Sequence, residues 1–134
     1  MSTSEPLVLI VDDIDSQLLL YRILADRIGI KAHAVRSCKE ALQALDLTDF
    51  DLIIMDWLMP DMDASVCLPA IREVLAARNL SSAIICITAR AMKGDREMCL
   101  EAGFDDYLAK PFTIAQFEEI VYRWLPPKFQ KHKA

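Results

Sequence analysis

Five short, mostly apolar runs recur along the chain, and each is followed by a predicted helix. In the runs at Leu7–Val11, 52–55 and 83–87 the apolar residues are continuous and do not alternate with polar ones, which is typical of strands covered on both faces. The runs lie at Leu7–Val11, 32–35, 52–55, 83–87 and Asp106–Ala109. Five strands alternating with five helices predict a three-layer, doubly wound α/β fold around a five-stranded parallel sheet.

Capping residues mark several of the predicted helix boundaries. Asp15 is predicted to cap the first helix and Gly29 to end it. Two pairs have the spacing of a capping box, Ser37 with Glu40 and Thr113 with Gln116. These positions predict where three of the five helices begin.

Composition narrows the class of protein. The 134 residues predict a single domain with a core from about residue 6 to 125 and a polar, frayed tail at 126–134. A net charge of −5 argues against a nucleic-acid-binding surface. The sequence has no signal-peptide pattern and no apolar stretch of membrane-spanning length, so we expect a cytoplasmic protein without membrane insertion.

Four cysteines stand at wide and irregular spacings, with no pair two residues apart. This spacing indicates neither a zinc site nor a disulfide framework. We therefore expect reduced, mostly buried thiols at Cys38, Cys67, Cys86 and Cys99.

Polar residues follow four of the predicted strands. Asp12 and Asp13 follow the first, Asp56 the third, Thr88 the fourth and Lys110 the fifth. The carboxyl ends of parallel strands meet at one edge, where ligands bind in open α/β sheets. Taken singly, each residue has an ordinary structural interpretation, such as a loop cap or a surface lysine. Together they supply what phosphoryl transfer to a carboxylate needs: a nucleophile, acids for a divalent cation, a hydroxyl and an ammonium.

The strand-end motifs resemble those of a known family. They are VDD at 11–13, MDWLMPDMD at 55–63, ITA at 87–89 and YLAKPF at 107–112. In this order they resemble the receiver domain of two-component response regulators, in particular the single-domain chemotaxis regulators. The resemblance implies a flavodoxin-like sheet of order 2-1-3-4-5.

The resemblance also implies a role for each site residue. Asp56 would be the phosphorylated aspartate, with Thr88 and Lys110 contacting the phosphoryl group. Asp56 and Asp13 would bind Mg²⁺, for which Mn²⁺ is a substitute. Asp12 would bind the metal through water, and the Leu58 backbone carbonyl would be a further metal ligand. Tyr107 would be an aromatic switch coupled to Thr88.

The function implied is phosphorelay signalling. A sensor histidine kinase or a histidine phosphotransfer protein would supply the phosphoryl group. The signal would leave through a protein-binding surface formed by the segment from Met92 to Glu101, by Tyr107 and by the helix from Thr113 to Trp124. The resemblance implies that the domain would phosphorylate itself with Mg²⁺ and slowly lose the phosphate, and that it would not be a turnover enzyme.

Other interpretations stay open at this point. One is a receiver-like module that binds partners independently of phosphorylation. An aspartyl-phosphate phosphatase of the haloacid-dehalogenase type would need a second Asp where Leu58 stands, and a calcium loop starting at Asp61 lacks the required Gly and Glu.

Ala64 replaces the Gly usual in receivers, which would strain a left-handed backbone. Met1 and the polar tail favour a stand-alone regulator over a fragment of a hybrid kinase or larger regulator.

Overall fold

The computed structural model describes residues 5–57, 64–89 and 95–129. The strands are β1 (Leu7–Val11), β2 (Lys31–Val35), β3 (Leu52–Asp56), β4 (Ala83–Thr88) and β5 (Asp106–Ala109). The helices are α1 (Asp15–Ile28), α2 (Cys38–Leu47), α3 (Ala64–Ala77), α4 (Asp95–Ala102) and α5 (Ile114–Trp124), followed by a 3₁₀ turn at Pro127–Phe129. No helix in the described ranges is long and apolar enough to cross a bilayer.

The five strands form one parallel sheet in the order β2-β1-β3-β4-β5. This confirms the predicted architecture and strand order. All five residues of β3 are buried, because this central strand has a strand on each side and a helix layer on each face. An uninterrupted apolar sequence is the expected consequence of that position.

Two apolar clusters lie on opposite faces of the sheet, since successive side chains of a strand point to opposite sides. Leu9 and Val11 of β1 belong to one cluster with residues of α2, α3 and α4. Val8 and Ile10 belong to the other, with residues of α1 and α5. The helices therefore form the two outer layers of the predicted three-layer fold.

Two of the capping predictions need correction near the start of α1 and α2. Ile14, not Asp15, is the N-cap of α1, and it makes no side-chain cap bond. The Asp15 carboxylate instead accepts a hydrogen bond from Arg36. Ser37 accepts from the Glu40 backbone N–H at 3.1 Å, as predicted, but Glu40 accepts from the Arg36 N–H and not from Ser37.

The remaining boundary signals agree with the structure. Gly29 ends α1 with φ +83°, and Thr113 and Gln116 form the full reciprocal capping box of α5. Ala64 is the first helical residue of α3, so the departure from Gly meets no left-handed backbone there.

Within the predicted frayed tail, Pro127–Phe129 form a 3₁₀ turn, and Phe129 packs against the core.

The expectation of four thiols was wrong for one pair. Cys38 and Cys67 form a disulfide with Cα atoms 5.9 Å apart, joining α2 to α3. The two cysteines are 29 residues apart in sequence, but α2 and α3 pack side by side on one face of the sheet. Linear spacing contains no information on that proximity. Cys86 and Cys99 are buried and reduced.

Candidate functional site

Three carboxylates meet at the carboxyl edge of the sheet. One oxygen each of Asp12, Asp13 and Asp56 lies within 4.8 Å of the others. The pairing of β1 with β3 places them there, because Val11 is in register with Met55 and each strand leads directly into an acid. Asp12 is fully buried, Asp56 nearly so, and Asp13 is partly exposed.

Asp12 has an unusual environment for a carboxylate. Its Oδ1 accepts a hydrogen bond from the Ile14 N–H at 3.0 Å. Its buried Oδ2 has no hydrogen-bond partner among the described residues. Burial raises the pKa of Asp12 above its usual value, and the nearby charges of Asp56 and Asp13 act in the same direction. The environment therefore opposes a negative charge on Asp12.

Lys110 supplies the nearest positive charge. Its Nζ lies 3.8 Å from Asp12 Oδ2 and 3.9 Å from Asp56 Oδ2, which are ion-pair distances and longer than direct hydrogen bonds. The Lys110 backbone N–H donates to the Thr88 carbonyl at 2.8 Å, and the Lys110–Pro111 peptide is cis. This hydrogen bond holds the Lys110 backbone, directly after β5, next to the end of β4.

Thr88 is the last residue of β4 and is buried. It lies two residues beyond Cys86, which is in register with Tyr107 of β5. Side chains two residues apart on a strand, and side chains in register on neighbouring strands, point to the same face. Thr88 and Tyr107 therefore share the sheet face covered by α4.

The structure brings together the predicted acids and Lys110, and it places Thr88 at the adjoining strand end. Leu58, predicted to supply a backbone carbonyl, lies outside the described residues. Which of these residues binds metal or phosphate stays a prediction. The all-oxygen donor set suits a hard divalent cation, and so does the Asp12 Oδ2, which has no hydrogen-bond partner among the described residues; this acidic cluster could therefore hold one.

Asp106 was missed by sequence reasoning. This buried carboxylate at the start of β5 accepts from the Trp124 Nε1–H at 2.7 Å and from the Tyr107 backbone N–H at 2.8 Å. Arg123 lies 3.3 Å away. The available signal was an acid opening an otherwise apolar strand, but its partner on α5 is 18 residues distant. Asp106 ties α5 to the strand that holds Tyr107.

This geometry defines the class of protein: a doubly wound five-stranded domain with an acidic site at the ends of its strands. Residues 8–122 match the family model described as the response regulator receiver domain, and the chain belongs to that family. It is a receiver domain of two-component phosphorelay signalling, which is a signalling module.

Relatives with similar sequences include sensor kinases and a response regulator. The sensor protein GacS of Pseudomonas syringae pv. syringae is 39% identical over 125 residues. These cover 92% of this chain but 14% of GacS, so the chain spans a small part of that relative. Two-component response regulator 24 of Arabidopsis thaliana is 32% identical, with 92% of this chain and 86% of that protein covered.

Solved structures agree with the fold. The receiver domain of the sensor histidine kinase PA1611 from Pseudomonas aeruginosa superimposes with a TM-score of 0.78 and 32% identity. The match covers 90% of this chain and 98% of that one, and that structure has a magnesium ion coordinated in its active-site cleft. A Francisella response regulator receiver domain has a TM-score of 0.76 and 28% identity, covering 90% and 96% of the two chains.

Proposed function

We propose that Asp56 accepts a phosphoryl group from a phosphohistidine donor, with Mg²⁺ bound beside it, and that the phosphorylated domain changes a protein-binding surface. The observation that carries this proposal is the composition of the edge around Asp56. Two further acids lie within 4.8 Å of it, Lys110 lies 3.9 Å away, and one buried Asp12 oxygen has no hydrogen-bond partner among the described residues.

The residues divide the work of phosphoryl transfer between them. An Asp56 oxygen attacks phosphorus, so that an O–P bond forms while the donor's N–P bond breaks. Lys110 stabilises negative charge on the transferred phosphoryl oxygens, and the Thr88 hydroxyl donates to another of them. Asp13 and Asp56 would hold the Mg²⁺, with Asp12 acting through water. When bound, the cation would neutralise the acids and the phosphoryl oxygens.

The donor must cover the surface next to Asp56, and α1 begins at that surface. Leu19 and Ile23 lie on the face of α1 that points away from the core, and they are 61% and 50% exposed. Ile14, directly after the acids, and Leu20 are also exposed. Apolar side chains at helical spacing suit docking against another helix. This supports a helical histidine kinase or histidine phosphotransfer domain as the donor.

The output surface is proposed on α4, β5 and α5. It comprises the segment from Met92 to Glu101, Tyr107, and the helix from Thr113 to Trp124; of the first segment, 92–94 lie outside the described residues. Three exposed apolar side chains on these elements support a protein-binding role, namely Met98, Leu100 and Ile114. Phosphate on Asp56 would draw in Thr88 and leave space for Tyr107 to turn, which is how the site would reach that surface.

The competing function is a receiver-like module whose binding does not depend on phosphate. Incubation with acetyl phosphate and Mg²⁺, read by intact mass, separates the two functions. We expect one added phosphoryl group on the wild-type chain and none on Asp56→Asn. Asp26→Asn, which removes an exposed acid on α1, is the matched control and should be modified like the wild type. If the wild-type chain gains no phosphoryl group, the result favours the module whose binding does not depend on phosphate.

A further inference from the structure

A second cysteine pair lies beneath α4. The Sγ atoms of Cys86 and Cys99 are 3.4 Å apart, and both residues are buried. This is contact distance for two sulfur atoms, and closing it to a bonded length of about 2.05 Å needs a shift of roughly 1.4 Å. Cys86 is on the inner strand β4, and Cys99 is on the surface helix α4.

Cys99 is the main anchor of the helix it belongs to. Among the α4 side chains that the structure describes, 96–102, it is the buried one; Ala102 is partly buried and the others are exposed. A helix held by so few buried side chains opens at a lower free energy than the strands of the core. A bond to Cys86 would replace this weak anchor with a covalent one.

The pair also lies on the face of the sheet that carries the proposed switch. Cys86 is two residues before Thr88 on the same strand and is in register with Tyr107. Cys86, Cys99 and Tyr107 all belong to the apolar cluster on this face. Any bond that fixes α4 against β4 therefore restricts the space beside Tyr107.

We propose that Cys86 and Cys99 are a redox modification site, at which a small disulfide such as glutathione disulfide oxidises the two thiols to a bond that fixes α4 to β4. When α4 opens, the Cys99 thiolate attacks the oxidant and releases one glutathione thiolate. Cys86 then displaces the second glutathione from Cys99. The two glutathione thiolates take up the two protons lost by the cysteines, so one disulfide is reduced as one forms.

Burial makes the reaction depend on that opening. Cys99 is buried, so an oxidant cannot reach its sulfur while α4 is closed. The apolar surroundings and the neighbouring Cys99 sulfur also raise the pKa of the Cys86 thiol, so the second step has little thiolate available before the helix opens. The site therefore differs from a permanently exposed reactive cysteine. It responds to an oxidant at a rate set by the opening of α4.

The bond itself is tested by peptide mapping. Trypsin separates all four cysteines, because Lys39, Arg72, Arg78, Arg90 and Arg96 stand between them in the sequence. After full reduction and equilibration with glutathione disulfide, we expect peptide 79–90 linked to peptide 97–123. Cys99→Ala should lose this species and keep the link between Cys38 and Cys67. Unlinked Cys86 and Cys99, or a stable glutathione adduct on Cys99 alone, would overturn the proposal.

The effect on signalling rests on the proposed function and needs a separate measurement. Amide exchange is compared in reduced and oxidised protein, with and without beryllofluoride as the phosphoryl analogue. We expect the oxidised form to keep its response at Asp56 and to lose at least half of its response in α4. An equal α4 response in both forms would overturn the coupling. If neither form responds at Asp56, the proposed function fails with the coupling, while the peptide map still decides the disulfide.

Discussion

Asp12→Asn should stabilise the metal-free protein, although it alters a fully buried residue of the site. The side chain changes little in shape, and the Asn oxygen can still accept the hydrogen bond from the Ile14 N–H. What the substitution removes is a buried negative charge beside two other carboxylates. Its consequences follow from the distances at the strand ends.

The magnitude comes from Coulomb's law. With an effective dielectric constant of about 20, two charges at the 4.8 Å limit of the cluster repel by about 3.5 kcal/mol. Asp12 has two such neighbours and recovers about 4 kcal/mol from Lys110 at 3.8 Å. The excess repulsion is about 3 kcal/mol, and partial exposure of Asp13 reduces it. We therefore expect a gain of about 1 to 3 kcal/mol in the free energy of unfolding.

The pH dependence of this gain has a definite sign. The pKa of Asp12 is raised in the folded protein, so the folded state binds more protons than the unfolded state between the two pKa values. The Asp12 contribution to stability therefore falls as the pH rises through that interval. The advantage of Asp12→Asn should be full above the folded-state pKa and should disappear below the ordinary Asp value of about 3.9.

Urea unfolding in EDTA at several pH values measures this effect. Asp26→Asn is the control for loss of one exposed negative charge and should change stability by less than about 0.5 kcal/mol. Added Mg²⁺ should then stabilise the wild type more than Asp12→Asn. If Asp12→Asn destabilises the EDTA-treated protein by more than 1 kcal/mol at neutral pH, the repulsion on which this reasoning depends is absent.

Three further predictions test other parts of the site. Asp13→Ala should abolish the rise in melting temperature with Mg²⁺ while leaving the metal-free protein at least as stable; a full response would place the metal elsewhere. Thr88→Ala should still gain phosphate but lose the amide-exchange response of α4 to beryllofluoride, and an unchanged response would exclude Thr88 as the relay. Trp124→Phe should cost about 1 to 2 kcal/mol in urea unfolding because Asp106 loses a buried donor, and a neutral effect would show that Tyr107 and solvent satisfy that carboxylate.

The strands were predictable because their sequence is dominated by burial. β3 and β4 are covered on both faces, so their apolar runs need no knowledge of their neighbours. Strand ends then place acids and Lys110 on one edge through topology alone. The distances between them depend on register and side-chain conformation, which the sequence does not state. The same holds for the Asp12 Oδ2, which has no hydrogen-bond partner among the described residues.

The features that were missed are contacts between elements distant in the chain. The bond between Cys38 and Cys67 depends on how α2 and α3 pack on the sheet. Asp15 was predicted to cap α1, but Arg36 of the loop after β2 attracts its carboxylate. Asp106 has its donor on α5. In each case the contact joins two residues that are distant in the sequence and come close only in the folded chain.

Phosphorylation at one particular aspartate is the central claim, and chemical trapping tests it most directly. The protein is treated with acetyl phosphate and Mg²⁺ and then with borohydride, which reduces an aspartyl phosphate to homoserine. Fragment masses of tryptic peptide 40–72 then locate the change, since this peptide contains Asp56 together with other acids such as Asp51. We expect homoserine at position 56 alone, dependent on Mg²⁺. Homoserine at another aspartate with position 56 unchanged would contradict the account.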